Sequence, residues 1–461
     1  MTIWTPAIDA IPGPRYQAIA SAIADAIEQG ALKPGDRLPP HRDLAWRLGV
    51  TVGTVSRGYM LAEQKGLVVG EVGRGTFVRA PAGSGTGALL EPQDSNVIDL
   101  GFNAAISPYH GEALGRTLAE IGGAAHLERL LRYMPGVGHE DYRAAAARWI
   151  AQLGIETAAE RVVLTVGAQQ GIAATFAALL RPREPALCEA LTYTGVIDNA
   201  RLFGHPLVPV EMDEEGMTPD ALDAAALETG ARVVILQPTI HNPTAAMMGE
   251  ARRRDIIAVA RKRDLILVED DVYGLLPPDR PAPIAAMAPE RTIYLSSASK
   301  AIAPGLRIGW LHGPAAYTER LVDAVYGMTN STPALMQEVL RRWIDDGTAG
   351  ELVRQLRIEN AARQEAARTA LAGLDFRAHP AAFHIMLNLP APWRREEFTE
   401  ALKGQGVRVI PLSAFATGQQ AAPHGVRISL SAAPDRKTLV DALGRIRDLA
   451  LSDGGSRRAV I

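Results

Sequence analysis

Forty-eight residues of this 461-residue chain are Lys or Arg, and six of them are lysines: Lys33, Lys65, Lys262, Lys300, Lys403 and Lys437. Lys262 falls on the solvated run "RKRD", but Lys300 sits in "YLSSASKAIAPGLRIGW" among Ser, Ala, Pro and Gly. An amine can lose its proton and attack a carbonyl, whereas a guanidinium stays charged. A lysine kept at such a position, in a chain that writes most cations as Arg, is a candidate nucleophile. The nearby cation Arg307 should help to depress its pKa.

The other residues able to do chemistry follow short apolar runs. After "VVLTV" come Gly167, Ala168, Gln169 and Gln170, small residues opening an Ala-rich helix whose free amides suit an anion such as phosphate. After "VVILQP" come His241, Asn242 and Pro243; after "LILVE" come Asp270 and Asp271, with Tyr273 close behind. After "TIYL" come Ser296, Ser297, Ser299 and Lys300, then Arg307. Backbone amides, hydroxyls and an arginine hold a phosphate. A pyridinium nitrogen needs a buried carboxylate to keep it protonated. A ring hydroxyl takes bonds from Asn and Tyr, and an aldehyde needs a neutral amine. Pyridoxal 5′-phosphate makes all of these demands at once.

These groups need elements that bring strand ends together. From residue 98 the apolar runs "RVVLTVG", "ARVVILQP", "DLILVEDD" and "TIYLSSAS" alternate with amphipathic stretches such as "ARRRDIIAVARKRD". The pattern predicts an α/β unit with a mostly parallel sheet covered on both faces, and ligands bind such sheets at the strands' carboxyl ends.

The first eighty residues read differently. Ile19, Ile23 and Ile27 stand at spacing four on a helix running from Pro14 to Gly30. "HRDLAWRLGVTVGTVSRGYMLAEQKG" predicts a short helix from His41 to Leu48, a turn at Gly49-Val50, and a second helix N-capped by Thr51 and ending at Gly66. Leu44, Leu48, Val52 and Val55 are placed to pack these two together. That is helix-turn-helix spacing, and "GLVVGEVGRGTFV" adds two short β-runs around a Gly-rich tip, a wing. In a major groove the second helix would present Thr51, Thr54, Ser56 and Arg57, with Arg42 entering the preceding helix. Arg74 and Gly75 at the wing tip would approach the minor groove or phosphates.

Bulk numbers set the frame. The length calls for two or more domains, and 47% hydrophobic with 21% charged residues describes a soluble globular chain. No apolar run is long enough for a bilayer, and no secretory leader is legible. One cysteine, Cys188, excludes an internal disulfide framework and a Cys-cluster metal site, which fits a reducing cytoplasm. Nine Lys and Arg against seven Asp and Glu in residues 1–80 give that part a slight positive excess, while the whole chain is at −3. We divide the chain into residues 1–79, a flexible tether at 80–97, and a cofactor unit at 98–455 with a smaller C-terminal α/β subdomain from about 335.

Two resemblances join these parts. "LPPHRDLAWRLGVTVGTVSRGYMLAEQKGLVVGEVGRGTFV" resembles the winged helix-turn-helix domain of the GntR family of bacterial regulators, departing from it at Pro40-His41. Residues 98–450 resemble fold-type I aminotransferases. That likeness implies Lys300 as the Schiff-base lysine; Ser297, Ser299, Arg307 and "GAQQG" at the phosphate; and Asn242 and Tyr273 at the ring hydroxyl. It implies Asp270, with Asp271 as competitor, at the ring nitrogen, and Tyr193 stacked on the ring. Tyr133 would reach the phosphate of a partner subunit, and Arg427 would bind a carboxylate. Ala245 stands where the family has Gly, and Leu191 where it has Pro.

Together the two resemble the MocR subgroup of GntR regulators. That implies a homodimeric, PLP-binding regulator of a double-stranded DNA operator, responding to an amino acid or amine. A working aminotransferase carrying a DNA-binding module, or a sensor of PLP itself, are the alternatives. The loops "GFNAAIS" and "PAAFHIM" should set pocket specificity.

Overall fold

A computed structural model describes residues 4–8, 13–33, 35–64, 67–71, 75–78, 97–105, 110–124, 127–134, 137–418 and 422–452. Arg74 at the wing tip, tether residues 80–96, the expected helix end at Gly66 and residues 106–107 of "GFNAAIS" lie outside them.

Helix α1 (Arg15–Glu28) buries Ile19 and Ile23 completely, and Ile27 packs at the margin of the same core. Helix α2 (His41–Leu48) stops at Gly49, whose φ of +64° is open to a residue without Cβ. Helix α3 (Val52–Gln64) begins after Thr51, whose Oγ1 accepts the Thr54 N–H at 3.1 Å. Leu44 and Val55 are fully buried and Leu48 partly so. Val52 departs from expectation: it is 44% exposed, because the inward stripe of α3 starts one turn later, at Val55, and continues through Tyr59 and Ala62. Strands β1 (Val68–Glu71) and β2 (Gly75–Val78) pair antiparallel as the wing. A Cβ on Gly75 would lie 2.8 Å from the Arg37 guanidinium, so that glycine also makes room for Arg37.

The large unit begins unexpectedly. Strand β3 (Ile98–Asp99) pairs with β15 (Val407–Arg408), far along the chain, in a two-stranded sheet apart from the main one. The main sheet has seven strands, in the order β4 (Val162–Thr165), β12 (Gly309–His312), β11 (Thr292–Ser297), β10 (Ile266–Asp270), β9 (Val233–Leu236), β5 (Ala186–Glu189) and β6 (Leu207–Val210). All neighbours run parallel except β12, which is antiparallel to both β11 and β4. The central strands are buried on both faces, which is why they read as unbroken apolar runs. A small ribbon, β7 (Met212–Asp213) with β8 (Gly216–Met217), sits apart from the sheet.

The C-terminal subdomain carries β13 (Phe376–Ala378), β14 (His384–Asn388), β17 (Gly425–Ser429) and β16 (Ile410–Pro411), paired antiparallel in that order. Its boundary is not at residue 335. The Ala334–Asp345 helix packs Val339, Leu340 and Trp343 into the large core. The Thr348–Ala370 helix then contributes Leu352 and Val353 to that core and Ala367 to the small one. At 1.5 Å per residue this helix is roughly 35 Å long, enough to serve both cores without a break in its apolar pattern. Among the described residues, no helix is long and apolar enough to cross a membrane.

Helices α1 and α3 touch most closely at Gly58, where a Cβ would meet Ile19 Cγ2 at 2.9 Å and the Tyr16 carbonyl at 3.1 Å. Gly58→Val is expected to destabilise the N-terminal unit by about 1–3 kcal/mol through overpacking. Calorimetry should show that unit's transition lowered, with DNA binding weakened and the cofactor absorbance of the large unit unchanged.

Candidate cofactor site and nucleic-acid interface

Lys300 lies on the one-turn helix Ala298–Ala301 that leaves β11, with Ser297 as its N-cap. The side chain is partly exposed overall, yet its amine is enclosed: Nζ donates to the Asn103 carbonyl and lies 5.0 Å from the centre of the Phe102 ring. Burial lowers its pKa to about 8, helped first by Arg427 and then by Arg307, and opposed by Asp270. Arg307, the cation expected from the sequence, therefore takes second place to Arg427.

The two carboxylates beyond β10 point apart. Asp270 Oδ2 accepts from Gln237 Nε2 at 2.7 Å, while its Oδ1 is buried without a partner. Asp271 turns the other way. Its Oδ2 accepts from the Tyr294 hydroxyl at 3.2 Å, and its carboxylate fills the space that a Cβ on Gly274 would need. Asp270 is thus the carboxylate whose charge is felt at Lys300. Burial raises its own pKa to about 7. Behind it Glu189 accepts the Gln237 N–H at 2.8 Å, and burial pushes this second carboxyl to about 8.

Arg427 projects from β17 and is 4% exposed. It donates to the Gly101 carbonyl and to Asn242 Oδ1 (3.2 Å), lies over the Phe415 ring, and has a buried Nε without a partner. Burial lowers its pKa to about 10, so it stays a cation at neutral pH. Ala245 adopts φ +58°, the left-handed conformation for which glycine is the usual choice. The strain of about 1 kcal/mol is offset by a buried methyl worth about 0.8. Asn103 Nδ2 donates to the Tyr273 hydroxyl at 3.1 Å. Tyr193 is partly buried and leads into the Thr194–Phe203 helix.

At the other end, Gly167 opens the Gly167–Leu179 helix at φ +75°. A Cβ there would lie 2.9 Å from Arg307 Nη2, so glycine lets the guanidinium approach the helix start and the amides of Ala168 and Gln169. Ser299 Oγ and Gln169 Oε1 are buried without partners, whereas the Ser297 hydroxyl accepts the Ser299 N–H. Tyr133 is not in this cluster: it is 88% exposed, just beyond the Leu127–Leu131 turn of helix. The donor set fits the cofactor inferred from the sequence. A free carboxylate oxygen suits a ring nitrogen, a helix start with an arginine and a serine suits a phosphate, and an enclosed amine suits the aldehyde.

On the winged domain, Arg42 is exposed at the start of α2, and the hydroxyls of Thr51 and Thr54 bond each other at 2.8 Å. Arg57 lies over the Tyr16 ring at 4.4 Å. Ser56 is engaged rather than free: its Oγ lies 2.9 Å from Nδ1 of His41, whose ring meets Tyr59 edge-on. His41 stands at the departure from the GntR pattern, and no sequence signal announced this contact. Gln237 and Glu189 were also missed. The signal available was their place at a strand's end, where a polar residue is most often read as a turn.

A family model for class I and II aminotransferases matches residues 96–446, and one for bacterial regulatory proteins of the gntR family matches residues 15–78. The chain is 30% identical over 448 residues to the uncharacterized HTH-type transcriptional regulator YdeF of Bacillus subtilis, covering 97% of this chain and 96% of that one. It is 29% identical over 431 residues to the vitamin B6 salvage pathway transcriptional repressor PtsJ of Salmonella typhimurium, covering 92% and 96%. Among solved structures, it is similar to the α-aminoadipate aminotransferase LysN of Thermus thermophilus, complexed with N-(5′-phosphopyridoxyl)-L-leucine. That match has a TM-score of 0.69 and 25% identity, covering 77% of this chain and 92% of that one.

Two outcomes follow from this geometry. The rate at which PLP-free protein captures PLP, read from the imine absorbance, should rise about tenfold per pH unit below about 8 and then level off. An unshifted lysine would keep accelerating toward about 10.4. On the winged domain, Arg57→Ala should weaken DNA binding and reduce the salt slope of log K by about 1, measured by mobility shift at several ionic strengths.

Proposed function

The chain belongs to the MocR-type regulators of the GntR family, with a gntR-family DNA-binding domain ahead of a class I and II aminotransferase domain, and from that premise we propose that it senses an amino acid or amine at Lys300. It is a transcriptional regulator, and its cofactor is pyridoxal 5′-phosphate. When bound, PLP supplies an aldehyde that condenses with primary amines, so an effector can replace Lys300 by Schiff-base exchange. Lys300 provides the attacking amine, roughly one in ten of which is neutral at pH 7 given a pKa of about 8. Asp270 would hold the ring-nitrogen proton, with Asn242 and Tyr273 placed for the ring hydroxyl and Tyr193 for the ring face. Ser297, Ser299, Arg307 and the amides of Gly167, Ala168 and Gln169 would hold the phosphate.

The observation that carries the sensing role is the position of Arg427. From the small subdomain it donates to Gly101 and to Asn242 of the large one. An effector carboxylate would compete for those N–H groups, favouring whichever subdomain arrangement binds it better. The small subdomain in turn touches the DNA-binding domain, where Arg394 pairs with Asp25 of α1 at 2.5 Å. A homodimer suits this reading: Leu131 and Tyr133 are each 88% exposed beside residues 331–334, a surface that a second copy would cover. Arg42, Thr51, Thr54 and Arg57 would face an operator, Arg74 and Gly75 would follow at the wing, and Ser56 would act through His41. We place the protein in the cytoplasm, where its DNA is.

The Salmonella relative, a repressor of vitamin B6 salvage, favours a second reading in which PLP is itself the signal. One titration separates them: PLP-loaded protein is mixed with amines and amino acids while imine absorbance and DNA affinity are followed together. Effector sensing requires one compound to move both, and Lys300→Ala to abolish both responses. If DNA affinity follows PLP loading alone, the second reading holds. Sustained turnover of about 1 per second or faster with any amino acid and keto acid would make the protein an enzyme instead. Arg427→Lys is expected to weaken amino-acid effectors about 10–100-fold, through loss of the bidentate pair, while decarboxylated amines change little.

A further inference from the structure

Behind Tyr273 lies a hydrogen-bond chain whose direction is set at one end. His384 is fully buried on β14, and its Nε2 lies 3.1 Å from the His241 carbonyl. A carbonyl can only accept, so Nε2 carries the hydrogen. Burial holds the ring neutral, lowering its pKa to about 3, and Nδ1 is therefore a bare acceptor. Its partner at 2.9 Å is the side-chain amide of Asn103, which must present Nδ2 to it and not Oδ1. The second hydrogen on Nδ2 points to the Tyr273 hydroxyl at 3.1 Å. That hydroxyl is thereby used as an acceptor, and its own proton remains for another partner. The orientation also leaves Asn103 Oδ1 buried without a partner, a cost usually borne where function requires it.

We propose that Asn103 and His384 are a positioning pair that compels Tyr273 to donate its hydroxyl proton to the ring oxygen of the cofactor, and so tunes the proton affinity of the imine at Lys300. The inference rests on the reading that PLP binds Lys300. A hydroxyl donating to the ring oxygen draws negative charge away from the iminium proton and lowers its affinity. Without the Asn103 donor, Tyr273 can turn its proton elsewhere and the affinity rises. The charges acting on Lys300 are Arg427, Arg307 and Asp270, and the hydrogen bonds of the Asn103 and His384 side chains go to other residues.

The test is a spectrophotometric pH titration of full-length, PLP-loaded protein, reading the midpoint of the imine band. Tyr273→Phe sets the scale by removing the hydroxyl outright. Asn103→Ala and His384→Leu should each raise the midpoint by about half a unit or more, as expected for one hydrogen bond. The double variant should shift no further than either single one, because the two residues act in series. His384→Gln offers an amide donor to His241 and a carbonyl acceptor to Asn103, and should keep the wild-type midpoint. A purely structural role would lower melting temperature and PLP affinity without this pattern. An unchanged midpoint in Asn103→Ala, with Tyr273→Phe shifted, overturns the proposal, as does His384→Gln behaving like His384→Leu. If His384→Leu does not fold, Asn103→Ala alone decides. Absence of an imine band in the wild type would instead overturn the Lys300 reading on which this one stands.

Discussion

Enclosure of one amine governs the site. Lys300 has been taken out of bulk water and set among Asn103, Phe102 and the fields of two arginines. Charge is disfavoured where water cannot solvate it, and like charges nearby add to the penalty. A lysine in such a place spends part of its time as the free amine that carbonyl chemistry needs. Asp270 works in the opposite sense, and its buried, half-partnered carboxylate is matched to a cation not yet accounted for by the chain itself. The two groups are complementary halves of one electrostatic design, held at the ends of adjacent strands.

Arg427 gives that design mechanical reach. It belongs to the small sheet, yet its hydrogen bonds reach Gly101 and Asn242. One long helix and the β3–β15 pair tie the two subdomains together, so a shift at the arginine is a shift of a packed body and not of a loop. The Arg394–Asp25 pair brings the same body against the helix that supports α3. Arg427 and helix α3 are therefore joined by a short series of packed elements.

The departures from family patterns are local and physically coherent. Ala245 keeps a glycine-like backbone conformation and recovers the strain by burying its methyl group. His41, at the departure from the GntR pattern, engages Ser56 and so braces α2 against α3. Asn103 and His384, in two segments expected from the sequence to set pocket specificity, make a directed relay behind Tyr273.

The candidate groups could be picked out of the linear sequence, because each strand of a parallel sheet ends where its apolar run ends. Lys300, Asn242, Asp270 and the Gly167 helix start could be named from that rule, and helical spacing with turn residues marked α1 to α3. Spacing favoured Asp270 over Asp271, and the tertiary structure gave the physical reason: Asp271 turns away to Tyr294. Tertiary structure alone made Arg427 the stronger cation, moved the subdomain boundary into the Thr348–Ala370 helix, and paired residues 98–99 with Val407–Arg408 in a separate two-stranded sheet. Those outcomes depend on contacts between residues tens to hundreds of positions apart. Periodicity reports which face of an element is buried; it carries no information about what lies against that face.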